Sequence, residues 1–364
     1  MNSICLLPYC PFPIDSGAKA VFKKHLDFLR NNGRCTVVSA RNKPVGAGWK
    51  SEDKKYLEQK GISLSLRPQF IMNPGIIAGL VYAGLLKSFK LERAFGHSNP
   101  YHRYAFPKDW WFEQTKGFDL AEIHYSYWAR LPCHCPKVIV LHDLWSEIMW
   151  EGTKREIKEL LSADLIVCVS YDNMRKLLSK GLKKIIWSPP LVQEMYHQDS
   201  NKIGIVGSNN RFNIEGLRWL NRDAGKLNEF KVYCYGGLWA NHFDFKYLIP
   251  MGSYESSSMP YESCGVFLVT TAGGTGIQIK AIEAMAHGRA IIARNGAMRG
   301  LPKDEAGWIN VNDPEEMIDI AKELSSNSAK RKQWQEAARS YYRKWLSSDK
   351  ILKELRNHYF SLVN

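Results

Sequence analysis

The chain has 364 residues, of which 45% are hydrophobic, 24% charged and 12% aromatic. This composition excludes a disordered, collagen-like or coiled-coil protein, and the length predicts two domains of ordinary size. The formal charge is +14, and residues 1–185 hold most of it, with 28 Lys and Arg against 17 Asp and Glu. A basic first half suits a polyanionic partner, whether an anionic membrane, a phosphate-bearing glycolipid or nucleic acid.

Short apolar runs alternate with helix-like stretches from one end to the other, the pattern of parallel βαβ units. In the first half, strands are predicted at Ile4–Leu7, Cys35–Ser39, Ser63–Leu66, Leu120–His124, Val138–Leu141, Leu165–Val169 and Ile185–Trp187, with helices at Ala18–Asn31 and Asn173–Lys180. Phe70–Phe89 is long enough to be mistaken for a membrane span. Asn73, Pro74 and Lys87 interrupt it, so a buried or surface-grazing helix is the expectation.

The polar, proline-containing stretch 188–201 reads as a linker. A second series follows: strands at Lys202–Val206, Lys231–Tyr235, Cys264–Thr270 and Ala290–Arg294, and helices at Asn213–Ala224, Gly276–His287 and Pro314–Ser325. The predicted organisation is a Rossmann-like domain over 1–187, the linker, a second Rossmann-like domain over 202–345, and a C-terminal helix over 346–364 that returns to the first domain. The fold class is therefore α/β, two doubly wound parallel sheets facing across a cleft. Ligands of such sheets bind at the carboxyl ends of the strands.

Eight cysteines are scattered, and most lie in or beside apolar runs, as core residues of a reducing compartment do. Cys133-His134-Cys135 has no second pair at zinc-finger spacing, so no metal site is expected there. Pro8, Pro11 and Pro13 break the first apolar run, which argues against a secretory signal.

Three strand-to-helix loops carry chemistry. Pro8–Lys19 runs PYCPFPIDSGAK into a helix, with Gly17 where backbone can approach a ligand. Gly207-Ser208-Asn209-Asn210-Arg211 offers a glycine, amide donors and one cation, either a diphosphate clamp or a capped helix with an exposed arginine. The most specific is Thr270–Glu283, TTAGGTGIQIKAIE. Gly273, Gly274 and Gly276 precede a helix carrying Lys280 and Glu283, and a carboxylate there can accept both hydroxyls of a ribose.

On these pieces the chain resembles a GT-B fold glycosyltransferase of retaining family 4, the glycosyl transferases group 1. The resembling segments are Pro11–Gly17, Ile205–Asn213 with Trp219, and Gly274–Gly288. The resemblance implies a nucleotide-sugar donor, with a UDP-sugar expected as co-substrate and no other cofactor. It implies that Glu283 holds the donor ribose, that Gly274, Thr275 and Gly276 approach its phosphates and sugar, and that Gly17 lines the cleft. Arg211 and Lys280 are the best candidates for neutralising the diphosphate, with Gly207 beside them. Two departures stand out: Thr275 replaces the first of the family's two spaced glutamates, and Ala18 replaces the second glycine of the first loop.

His142-Asp143 lies where the family places a histidine near the donor sugar, so this pair is the catalytic candidate, with helix capping as its alternative. His124, Tyr125 and Trp128 are the acceptor-binding candidates. The aromatics Trp110, Trp111, Phe112 and Tyr127 read equally as core. No Asp-x-Asp occurs, so transfer is expected to proceed without a metal, and the resemblance implies retention, in a hexosyl or pentosyl transfer to a hydroxyl. The expected acceptor is a cell-envelope glycan or glycolipid, met by a cytoplasmic protein docked at the inner membrane face. A hydroxymethylated DNA base is the alternative acceptor, and a catalytically silent nucleotide- or glycan-binding protein the alternative of another class.

Overall fold

The computed structural model describes residues 1–12, 17–40, 49–67, 81, 106–144, 146, 153–223, 231–237, 247–254, 256–274, 276–303 and 307–364. Thr275 and all of the Phe70–Phe89 segment except Val81 lie outside the described residues. Among the described residues no helix is long and apolar enough to cross a membrane.

The chain divides into two compact units, Met1–Pro190 with Leu352–Asn364, and Leu191–Ile351. The first holds β1 (Asn2–Leu6), β2 (Arg34–Ala40), β3 (Ile62–Arg67), β4 (Leu120–His124), β5 (Lys137–Leu141), β6 (Leu165–Cys168) and β7 (Ile185–Trp187). They form one parallel sheet in the order β3-β2-β1-β4-β5-β6-β7. The second unit holds β8 (Ile203–Val206), β9 (Val232–Tyr235), β10 (Leu248–Gly252), β11 (Val266–Val269), β12 (Ala290–Arg294) and β13 (Ile309–Val311). Its sheet is also parallel, in the order β10-β9-β8-β11-β12-β13. This is a doubly wound α/β architecture repeated twice.

Central strands β4, β5, β6, β8 and β11 are buried at every position. Parallel strands covered on both faces read as continuous apolar runs, which is why they were predictable. The edge strands β10 and β13 went unpredicted because they are short and partly exposed, and β10 carries Pro250, tolerated only where no neighbour needs its amide. In each sheet the strand order reverses direction at one point, between β1 and β4 and between β8 and β11. The crevice beyond those strand ends is where such sheets hold ligands.

One predicted boundary is corrected. The helix expected from Gly276 spans Ile279–Ala286, because Gly274 and Gly276 adopt φ of 106° and 74°, outside the right-handed helical region. The last helix, Ser348–Val363, begins in the second unit, and its remainder packs in the first, where Leu355 and Tyr359 are fully buried.

Candidate active site

In the second unit the switch point is built by the loops after β8 and β11. The Arg211–Leu220 helix approaches β11 closely because residue 216 is glycine: a Cβ there would lie 2.6 Å from Thr270 Oγ1. Asn210 caps this helix, its Oδ1 accepting from the amides of Phe212 at 3.0 Å and Asn213 at 2.9 Å. The capped-helix reading of this loop is therefore realised, and those two amides are already committed. Arg211 is exposed, with its guanidinium over the Phe212 ring at 4.6 Å, and Gly207 is buried at the end of β8.

Asn213 joins the two loops. Its Nδ2 donates to the Ser208 carbonyl at 2.9 Å, and its Oδ1 accepts from Thr271 Oγ1 at 2.9 Å and Lys280 Nζ at 3.0 Å. Lys280 also donates to Thr271 Oγ1 at 3.0 Å. Burial and the nearby charge of Arg299 bring the Lys280 pKa down to about 8, so the ammonium still predominates at neutral pH. Arg299, which the sequence reading missed, donates to the Thr271 carbonyl at 3.1 Å, and its other terminal nitrogen would lie 2.9 Å from a Cβ at Gly274. It follows β12, the next strand of the sheet, so the strand-end rule was the signal that could have found it.

Glu283 lies one turn beyond Lys280 on the same helix. It is half-buried, and burial raises its pKa to about 7, although Tyr261 donates to it at 2.8 Å and pulls the other way. The Tyr261 hydroxyl also reaches the Lys280 carbonyl at 3.2 Å. Two cations beside an exposed glycine turn and a carboxylate one helical turn away suit an anionic group with a vicinal diol attached.

In the first unit Gly17 opens the Gly17–Asn31 helix and is exposed, whereas Pro13–Ser16 lie outside the described residues. His124 and His142 are brought together, His124 Nδ1 lying 2.9 Å from His142 Nε2. The sheet register places them: His124 pairs with Val140, and His142 is two residues further along, on the same face. Tyr125 stacks on His142 at 4.4 Å between ring centroids and 18° between planes. Burial and the neighbouring His124, His25 and Lys24 hold the His142 pKa well below its usual value, so the ring is neutral. Asp143 is half-buried beside it.

His124 is fully enclosed behind His142, and Trp128 is enclosed in the core against Phe106 and Tyr127. Neither ring has a surface on which an acceptor could rest. The core reading also holds for Trp111 and Tyr127. Cys133 accepts from Trp111 Nε1 at 3.3 Å, and His134 stacks on Phe112. Cys5, Glu122 and His124 do bring a thiol, a carboxylate and an imidazole within 4.8 Å of one another. Their donor atoms are engaged with each other, however, in the hydrogen-bonded cluster taken up below.

Residues 200–327 match the family model described as glycosyl transferases group 1. Over those residues the second unit is similar to the glycosyl transferases group 1 family. The chain as a whole has the GT-B fold. It superposes over 100% of both chains on HepE from Anabaena in complex with UDP, at a TM-score of 0.66 and 12% identity. A glycosyltransferase from Rickettsia africae gives 0.65 at 12% identity, over 100% of this chain and 99% of that one. The lipopolysaccharide outer core galactosyltransferase WaaB gives 0.61 at 14% identity, over 99% of each chain. No curated protein matches the chain by sequence. The group 1 match spans the whole crevice just described, from β8 through Asn213, Lys280 and Glu283 to Arg299.

Proposed function

We propose that this GT-B glycosyltransferase moves a hexosyl or pentosyl group from a UDP-sugar to a hydroxyl of a cell-envelope glycan or glycolipid, with retention and without a metal. The observation that carries the reading is the grouping of Lys280, Arg299, the Gly274–Gly276 turn and Glu283 at one switch point of the second unit. The glycine turn admits the diphosphate, and Lys280, Arg299 and Arg211 offset its charge. Lys280 keeps a proton for the phosphate beyond the two it gives to Asn213 and Thr271. Glu283, ionised, accepts from the ribose hydroxyls. Anabaena HepE in complex with UDP-glucose, which this chain resembles in fold, supports uridine as the base.

As the sugar leaves, negative charge grows on the distal phosphate, and fixed cations stabilise that charge more than they stabilise the ground state. Retention places the acceptor on the face the phosphate leaves, so the departing phosphate oxygen can take the acceptor proton. His142, held neutral, accepts a hydrogen bond from a substrate hydroxyl and orients it. The excess of Lys and Arg in residues 1–185 favours an acceptor bearing phosphate.

The test is to incubate the purified protein with UDP-, GDP- and dTDP-sugars, following nucleotide release and the anomeric configuration of the product, with and without chelator. Release from a UDP-sugar, stimulated by a lipid-linked glycan and insensitive to chelator, is the expected result. Stimulation by hydroxymethylated duplex DNA instead would overturn the acceptor, and thermal stabilisation by UDP with no turnover on any acceptor would overturn the transferase reading.

A further inference from the structure

Glu122 is a fully buried carboxylate in the middle of β4, a central strand. An ionised carboxylate only accepts hydrogen bonds, and its two oxygens take about four donors. All four are present. Cys5 Sγ at 3.6 Å and His124 Nε2 at 3.0 Å meet Oε1, while His25 Nδ1 at 2.9 Å and the Tyr359 hydroxyl meet Oε2. Burial opposes the charge, but His25 and His124 outweigh it and hold the Glu122 pKa well below the usual carboxylate value.

The consequence passes outward along the histidines. Facing an acceptor-only oxygen, His124 Nε2 must carry a proton. A ring with a single N–H has then spent it on Glu122, which would leave His124 Nδ1 bare to accept from His142 Nε2, 2.9 Å away. His142 then has its proton on Nε2, and Nδ1 is left as its acceptor. The ring plane is fixed by Tyr125 stacked on it and by the Phe22 edge at 5.0 Å. Tyr125 holds that place at φ 75°, the one non-glycine residue at positive φ among the described residues, a strained conformation for a side chain of its size.

We propose that Glu122 and His124 are positioning residues that hold His142 as its Nε2–H tautomer, with Nδ1 bare to accept a hydrogen bond from a substrate hydroxyl, and that His25 and Tyr359 fix the carboxylate for this role. The inference rests on the reading of His142 as the group that meets substrate. The other titratable groups facing this cluster are Lys24 on the first helix, Cys5 on β1, Cys35 on β2, Tyr9 after β1, and Tyr125 and Asp143 at the strand ends.

Histidine ring-nitrogen NMR on the full chain reads the tautomers directly, without activity. Native protein is expected to show His124 and His142 each protonated on Nε2 with Nδ1 bare. Glu122→Gln, which keeps shape but loses an acceptor oxygen, is expected to abolish that pattern and lower kcat at least about tenfold with donor KM within about twofold. Tyr359→Phe keeps the carboxylate and should retain the tautomers with a smaller loss. A native His142 protonated on Nδ1, an unchanged pattern in Glu122→Gln, or one equivalent of metal bound by the native protein would overturn the inference. The native spectrum decides even if Glu122→Gln does not fold. The expected tautomers without transfer from any donor would refute the transferase reading and leave the pinning intact, whereas transfer with the opposite tautomer would do the reverse.

Discussion

The Tyr261 hydroxyl donates a 2.8 Å hydrogen bond to the Glu283 carboxylate, and this contact favours the ionised form against burial. The balance leaves the Glu283 pKa at about 7, and the first prediction follows from its sign. The carboxylate accepts ribose hydroxyls when ionised, so UDP-glucose affinity should rise with pH and level off above about 8. At pH 6 it should be about tenfold weaker than at the plateau. Tyr261→Phe should shift the curve to higher pH. Calorimetric titration across this range checks both, and a flat curve would remove Glu283 from the donor site. The same raised pKa disfavours folding as pH rises from 4.5 to about 7, because the folded state then holds a proton that the unfolded chain has lost. Any gain in binding is thus separable from stability.

Lys280→Met should cost about 10- to 100-fold in UDP affinity, the usual worth of a charge-assisted hydrogen bond. The fold should survive, because Thr271 and Asn213 remain bonded to each other at 2.9 Å once the ammonium is gone. A lowered melting temperature with unchanged UDP affinity would make Lys280 a purely structural residue.

Gly274→Ala places a Cβ on a residue at φ 106° and within 2.9 Å of an Arg299 nitrogen. The arginine tip can move aside, but the backbone strain remains, at about 1–3 kcal/mol. We expect a lower thermal midpoint together with UDP binding weakened at least about tenfold, since the turn must reshape where the phosphates approach. Native affinity in a destabilised variant would show that the turn does not touch the donor.

Acid should destabilise the first unit through His25. Burial, joined by the Lys24 charge, lowers its pKa to about 4, against the attraction of Glu122. Between pH 6.5 and about 4 the unfolded chain binds a proton that the folded chain refuses, so stability falls as pH falls through that window, by up to about 3 kcal/mol. Thermal unfolding from pH 7 to 4.5 should show the slope. His25→Asn, whose amide nitrogen can take the Nδ1 position, should flatten it, and an equal slope in that variant would assign the effect elsewhere.

The sequence made the architecture legible because both sheets are parallel and covered on both faces, so central strands such as β5, β6 and β11 are bare apolar runs. The glycine turn and Glu283 were legible for another reason: they lie on one continuous strand-loop-helix segment, where spacing reports geometry. The Glu122 cluster was not. Its partners Cys5, His25 and Tyr359 are 117, 97 and 237 residues away, and no local pattern encodes a convergence that only strand order creates. His124 illustrates the limit. At a strand end it read as facing a ligand, and the register instead puts His142 in front of it.

The packing of Tyr359 bears on the order in which the molecule can be made. During synthesis the seven strands of the first unit emerge before any of the second, yet one of the four donors to Glu122 follows the whole of the second unit in the chain. Until residues 352–364 leave the ribosome, the first unit must carry a buried acceptor short of a partner, a defect worth about 1–3 kcal/mol or more for a charged group. The first unit is completed only after the second has emerged, so nascent chains stopped before Tyr359 should be more open to protease in the first unit than in the second.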